Sequence, residues 1–232
     1  MAEPIWLFDL DNTLHDASRA VFGRLNLSMT DYIETHLAVP RDEADRLRIY
    51  YWRRYGATLL GLEKHHGIRA AHFLAHTHVL EGLEQQLHMQ PVDRHALKRL
   101  SGRKFLLTNA PADYAKRVLT ALDLASHFEG VIAIESMRVF GDLRPKPDVR
   151  MLRVVLARHR LPAHRCVLVE DTVANLRSAH QLGLKTVWMQ HYLKGNPHGP
   201  EAGIGLHGRP PWVCVRIKSL KALHAWRSRS AK

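Results

Sequence analysis

Two pairs of acids stand where a chain can do chemistry. Asp9 and Asp11 close the apolar run Pro4-Ile-Trp-Leu-Phe-Asp-Leu-Asp11, and Glu170 and Asp171 close the run Arg165-Cys-Val-Leu-Val169. In a strand, residues two apart project to one face, so Asp9 and Asp11 share a face unless the strand bends between them. If the two strands are neighbours, as many as four carboxylates converge on one crevice. Lys146 is the one obvious side-chain cation for them. The cluster stays negative, which makes a hard, oxygen-preferring ion such as Mg²⁺ its natural counterion. One such pair reads equally well as a solvated strand end or a helix cap. Two pairs, with Lys146 and a Thr108-Asn109 step expected at the remaining strand ends, read as a site.

The elements that must position these residues follow from the pattern. Short apolar runs at 4–11, 104–108, 130–134, 165–169 and 185–188 have the composition of buried parallel strands. Helical patterns at 112–124, 149–158 and 173–182 alternate with them; Pro111 and Pro147 precede the first two, and Gly183 follows the third. This β-α-β-α order predicts an α/β fold with a doubly wound parallel sheet, whose ligands lie at the carboxyl ends of the strands. The interval from Asp11 to Arg103 far exceeds the ~30 residues of a βαβ crossover. It carries helical patterns at 20–37, 41–55, 69–87 and 92–100, broken by Pro40, Gly56, Gly61, Gly67 and Pro91. The division expected is an α/β core at 1–15 and 101–232, with an α-helical cap at 16–100 inserted after the first strand. After Gln190 the chain reads as loop through 195–211, then as a strand at 212–217 and a helix at 220–226.

Composition sets the class. The 232 residues are 46% hydrophobic and 24% charged, enough to bury a core and too apolar for a disordered chain. Two cysteines, both in apolar runs, point to a reduced compartment, and no stretch has the length of a membrane span, so a cytoplasmic protein with no membrane partner is expected. Seven basic residues and no acid fall in 205–232, out of a net charge of +12. Such a field favours anions in general, whether phosphate esters, RNA or lipid headgroups.

Four segments resemble, in order, the motifs of the haloacid dehalogenase superfamily: Phe8-Asp9-Leu10-Asp11-Asn12-Thr13-Leu14, Leu106-Leu107-Thr108-Asn109, Arg144-Pro145-Lys146-Pro147-Asp148 and Val169-Glu170-Asp171-Thr172-Val173-Ala174-Asn175. The resemblance implies a phosphomonoesterase with Asp9 as nucleophile and Asp11 as general acid and base. Thr108, through its hydroxyl, and Asn109, through its N–H, would hold phosphoryl oxygens, and Lys146 would offset negative charge. Mg²⁺ would be bound by Asp9, the Asp11 carbonyl and Asp171, with Glu170 direct or through water. Asn175 stands where many relatives have Asp, and Asn12 where many have Gly. Dehalogenases of the superfamily lack the second motif-one Asp, so Asp11 points to a phosphatase; sugar-phosphate mutases keep both acids.

The inserted segment Tyr50-Tyr51-Trp52-Arg53-Arg54-Tyr55-Gly56-Ala57-Thr58-Leu59-Leu60-Gly61-Leu62 is similar to the signature of the pyrimidine 5′-nucleotidases of yeast and their plant and bacterial relatives. That likeness implies a small phosphorylated substrate, a pyrimidine nucleoside 5′-monophosphate, with Arg54, Tyr55 and Thr58 reading the base. The same tyrosines could instead pack the insert's own core. A sugar phosphate or lysophospholipid is the alternative substrate. A basic nucleic-acid-binding protein on an inert core is the rival class, disfavoured because every motif position keeps a reactive residue. His65, His66, His72, His76 and His78 lack the acidic or Cys partners of a defined second metal site, and His15 is expected to line the entrance.

Overall fold

Four consecutive apolar residues, all buried, make β1 (Ile5–Phe8) a strand covered on both faces. The computed structural model describes residues 3–193 and 208–230, so most of the 195–211 loop expectation lies outside the described residues. β1 is the third strand of a six-stranded parallel sheet. The others are β2 (Arg103–Leu107), β3 (Gly130–Ile132), β6 (Cys166–Glu170), β7 (Lys185–Met189) and β8 (Val215–Ile217), in the order β3-β2-β1-β6-β7-β8. A small antiparallel hairpin, β4 (Arg138–Val139) with β5 (Asp142–Leu143), lies outside it and has no counterpart in the sequence reading.

Phe8 stands in register with Leu106 on one side and Val169 on the other, so β1, β2 and β6 end level. The chain leaves β1 toward β2 and later returns on the opposite side as β6. This is the switch point at which an open parallel sheet leaves a crevice. Two loop bonds continue the ladders beyond the strands: the Asp9 N–H donates to the Val169 carbonyl and the Thr108 N–H to the Ile132 carbonyl, each at 3.0 Å.

The described chain divides into two units. One is Arg19–Gln86, entered through a short α1 (Ala17–Ala20) and built from α2 (Phe22–Leu37), α3 (Arg41–Tyr55), α4 (Thr58–His66), α5 (Ala70–Thr77) and α6 (Leu83–Gln86). The other holds the sheet, with α7 (Pro91–Arg99), α8 (Ala112–Ala121), α9 (Val149–Arg158), α10 (Val173–Gln181) and α11 (Ala222–Ser230). The helical unit therefore stops short of residue 100. Asp93 of α7 is buried and accepts the Leu220 N–H at 2.7 Å, and His224 of α11 bonds the Ala96 carbonyl at 2.9 Å, which fixes α7 to the sheet unit.

Within the helical unit two boundaries differ from the pattern. The helix expected over 69–87 is two, α5 and α6, with Gly82 at φ +62° between them. Helix α4 lies where no helix is expected, because Gly61 reads as a breaker. Its absent side chain is a packing requirement: a Cβ there would lie 2.1 Å from the Tyr51 ring, so α3 and α4 can approach only over a glycine. Gly56, at φ +81°, ends α3 in the left-handed conformation that a glycine adopts freely. Gly61→Ala is expected to destabilise the protein by about 1–3 kcal/mol through overpacking, read as a lower urea midpoint of the helical signal. An unchanged midpoint would show that Tyr51 can move aside.

Candidate active site

The strand ends deliver three acids and one cation to a single buried point. Asp9 leaves β1, Glu170 ends β6, Asp171 follows it, and all three are buried. One carboxylate oxygen from each lies within 4.8 Å of the others. The Lys146 ammonium donates to Asp9 Oδ1 at 2.6 Å, to Glu170 Oε2 at 2.8 Å and to the Leu107 carbonyl at 2.9 Å. Lys146 thus joins the ends of β1, β2 and β6 while belonging to none of them.

The loop carrying Lys146 is held from both sides. The Asn109 side chain accepts the Lys146 N–H at 2.9 Å and donates to the Lys146 carbonyl at 3.0 Å, a two-way amide pair. Asp148 then caps α9 by accepting the Met151 N–H at 2.9 Å and takes Arg144 at 3.3 Å. On the far side, Glu170 Oε1 accepts the Thr172 N–H at 3.1 Å, and the Trp188 indole donates to the Asp171 carbonyl at 2.8 Å.

Burial dominates the electrostatics. It raises the Asp9 carboxyl from 3.8 to about 7, with the Glu170 charge adding and Lys146 opposing. Asp171 is raised well above its ordinary value by the same burial, then by Glu170 and Asp9. Burial alone would lower the Lys146 ammonium, but Asp9 and Glu170 outweigh it and hold the charge on. Three carboxylates against one ammonium, all oxygen donors, fit a hard divalent cation; among the described residues this is the group of three side chains close enough to hold one.

Asp11 is placed apart. Its side chain is partly exposed, and its Oδ1 accepts Tyr114 Oη–H at 2.7 Å and meets His15 Nε2 at 3.0 Å. His15 is fully buried, which corrects the expectation that it lines an entrance. Asn12 adopts φ +59°, a conformation that Gly takes freely and Asn tolerates. Its amide bonds the Ser18 N–H and hydroxyl, so the loop keeps its turn without Gly. Thr108 Oγ1 accepts the Ala110 N–H at 3.0 Å, which leaves its own proton to donate. With its amide paired to Lys146, Asn109 has its backbone N–H left, a group that makes no hydrogen bond among the described residues. Asn175 is buried behind Lys146, where with Pro147, Met151 and Leu168 it lines a cavity of about 10 Å³, the room of one water.

The nucleotidase-like segment lies in the helical unit. Tyr51 is buried, stacks on His65 and bonds His66 Nε2 at 2.7 Å; Leu59 and Leu62 are buried with it. Thr58 is buried and spends its hydroxyl proton on the Arg48 carbonyl at 3.0 Å. Tyr55 is half-buried, bonds His65 at 2.5 Å and lies 5.9 Å from the exposed Arg54 guanidinium. His36, His65, His66, His72 and His76 pair with tyrosines or with one another: His72 meets Tyr32 Oη at 2.6 Å and stacks on His76 at 4.0 Å, while His78 meets Thr77 Oγ1 at 2.9 Å.

A family model described as haloacid dehalogenase-like hydrolase matches residues 5–183. The chain belongs to the haloacid dehalogenase-like hydrolases. Phosphate metabolism protein 8 of Saccharomyces cerevisiae is 26% identical over 194 residues, covering 79% of this chain; the chain spans 60% of that relative's length. A HAD phosphatase from Thermococcus onnurineus superposes with a TM-score of 0.63 at 17% identity, over 97% of this chain and 98% of that one. A 2-haloacid dehalogenase from Pseudomonas syringae superposes with a TM-score of 0.60 at 20% identity, over 99% and 100%. Phosphatase and dehalogenase fit the haloacid dehalogenase-like fold about equally, so the side chains must decide the chemistry.

The sequence reading of this haloacid dehalogenase-like hydrolase missed Tyr114 and gave His15 a different place from the one it has against Asp11. Tyr114 lies in the first turn of α8, directly after the Thr108-Asn109 strand end, and that position was the available signal. His15 is four residues past Asp11 in a tight turn closed by the Asn12 N–H and His15 carbonyl.

The raised Asp9 carboxyl gives a pH dependence for the metal-free chain. Between about 4 and 7 the folded state holds a proton that the unfolded chain has lost, so stability falls as pH rises through that window. Asp9→Asn removes the acid. In chelator its melting temperature is expected to exceed the wild type's most at pH 8, with the gap narrowing toward pH 4; melts across that range check this, and a gap independent of pH would refute it.

Proposed function

We propose that the chain is a Mg²⁺-dependent phosphomonoesterase working through an aspartyl phosphate. The observation that carries the reading is Asp11: a second carboxyl beside Asp9, outside the buried acid–cation cluster and fixed by one oxygen. Displacing a halide requires no proton, whereas a departing alkoxide does, so a halide-releasing enzyme has no use for this group.

In this reading Asp9 attacks phosphorus, the P–O ester bond breaks, and Asp11 gives its proton to the departing oxygen. Water then attacks the aspartyl phosphate, Asp11 takes a proton from it, and the Asp9–phosphorus bond breaks. The Thr108 hydroxyl and Asn109 N–H donate to phosphoryl oxygens, and Lys146 offsets their charge. Asp9, Asp171, Glu170 and the Asp11 carbonyl would hold Mg²⁺, which when bound neutralises phosphoryl charge and relieves the repulsion among the acids.

The finer substrate we infer is a pyrimidine nucleoside 5′-monophosphate. Its support is the likeness of residues 50–62 to the pyrimidine nucleotidase signature, with Arg54 and Tyr55 available to an aromatic, hydrogen-bonding ligand. Thr58, buried with its proton donated, supports that reading less than the other two.

Phosphate release from a panel of esters tests the proposal. Turnover is expected to vanish in EDTA, return with Mg²⁺, be inhibited by Ca²⁺ with its larger, looser shell, and fall by at least about a thousandfold in Asp9→Asn. Full activity in chelator, or an Asp9→Asn variant within tenfold of wild type, would overturn the phosphatase. UMP and CMP are expected to show higher kcat/KM than AMP and GMP; equal values, or a preference for a sugar phosphate, would remove the nucleotide alone.

A further inference from the structure

Two donors from different parts of the chain converge on one oxygen of Asp11. Tyr114 reaches Oδ1 from α8 at 2.7 Å, and His15 reaches the same atom at 3.0 Å from the turn that follows Asp11. Both rings are buried, with 2% and 0% of their surfaces exposed, so neither position is a chance surface contact.

The donor roles follow from the surroundings. Burial, with the charge of Asp11 adding, pushes the Tyr114 hydroxyl up, so it keeps its proton across the neutral range. His15 Nδ1 is buried with no hydrogen-bond partner. A proton there would leave a buried N–H unsatisfied, which is costly, so the ring carries its hydrogen on Nε2 and points it at Asp11. Asp11 Oδ2 has no hydrogen bond among the described residues. With Oδ1 taken by two donors, Oδ2 is the oxygen left to carry a proton when Asp11 holds one.

We propose that Tyr114 and His15 are positioning residues that clamp Asp11 Oδ1 and so reserve Oδ2 as the atom that gives and takes the proton. The inference rests on the phosphatase reading. In the first half-reaction the Oδ2 proton moves to the bridging oxygen as the P–O bond breaks and the Asp9–phosphorus bond forms. In the second, a water proton returns to Oδ2 as the water–phosphorus bond forms and the Asp9–phosphorus bond breaks. The clamp fixes the carboxyl rotation, so the proton faces the departing oxygen without a search.

The test compares kcat/KM, which reports the steps through departure of the leaving group, on an alkyl phosphomonoester and on p-nitrophenyl phosphate. The aryl oxide leaves without needing a proton. Tyr114→Phe is expected to lose about ten- to hundredfold on the alkyl ester and under about threefold on the aryl ester, part of the span of general acid catalysis. His15→Ala should fall in the same direction, and His15→Gln, which can still donate, should recover most of the loss. Equal losses on both esters, or none, would overturn the clamp. If Tyr114→Phe does not fold, the His15→Ala and His15→Gln pair decides by the same ratio. A wild-type chain inert on every phosphomonoester would overturn the phosphatase reading and the clamp with it, whereas an active wild type with unchanged ester ratios in the variants overturns the clamp alone.

Discussion

The Lys146 ammonium is the contact on which the rest of the sheet unit converges. It satisfies two buried carboxylates and a strand-end carbonyl at once. Taking Asp9 and Glu170 out of water is expensive, and their attraction to one shared cation offsets that cost only if the cation is held in place. The holding is done elsewhere, by the Asn109 amide on the Lys146 backbone and by Asp148 at the start of α9. A residue that reads in the sequence as a phosphate contact is thereby also the device that seats the lysine.

Charge acts with opposite sign at two ranges. The chain as a whole carries +12, a field that draws anionic esters from a distance and weakens with salt. The point where chemistry is proposed is locally acidic, with Asp9, Glu170 and Asp171 against one lysine. Neither property alone admits a phosphate ester. On the proposed reading the long-range field brings the anion near, and a divalent cation held by the acidic cluster would receive it.

The sheet and its acids were legible because their signals are local and repeated: apolar runs of strand length, each ending in a polar step, alternating with helical periods. The four motif segments could be read residue by residue for the same reason. Tyr114 escaped, and His15 was placed at an entrance instead of against Asp11, because where a helix and a turn aim a ring is encoded by no run of apolar residues. Helix α4 escaped for a related reason. Gly61 breaks a helical pattern when scored by propensity alone, and only the Tyr51 ring pressed against it shows why a glycine stands there. The boundary after Gln86 was misplaced because α7 has an ordinary amphipathic pattern; its attachment depends on Asp93 and Ala96 meeting residues more than a hundred positions later.

The packing of Tyr51 over Gly61 divides the aromatic segment into a frame and a display. Tyr51, Gly56, Thr58, Leu59, Gly61 and Leu62 are committed to holding α3 against α4, while Tyr50, Arg53 and Arg54 stand exposed on the same turns. Most of what makes the segment recognisable is architecture, and it can be inherited unchanged while the displayed positions vary. Changes at the exposed positions leave the packing of α3 on α4 untouched, whereas a larger side chain at Gly61 needs a smaller one at Tyr51 in the same step.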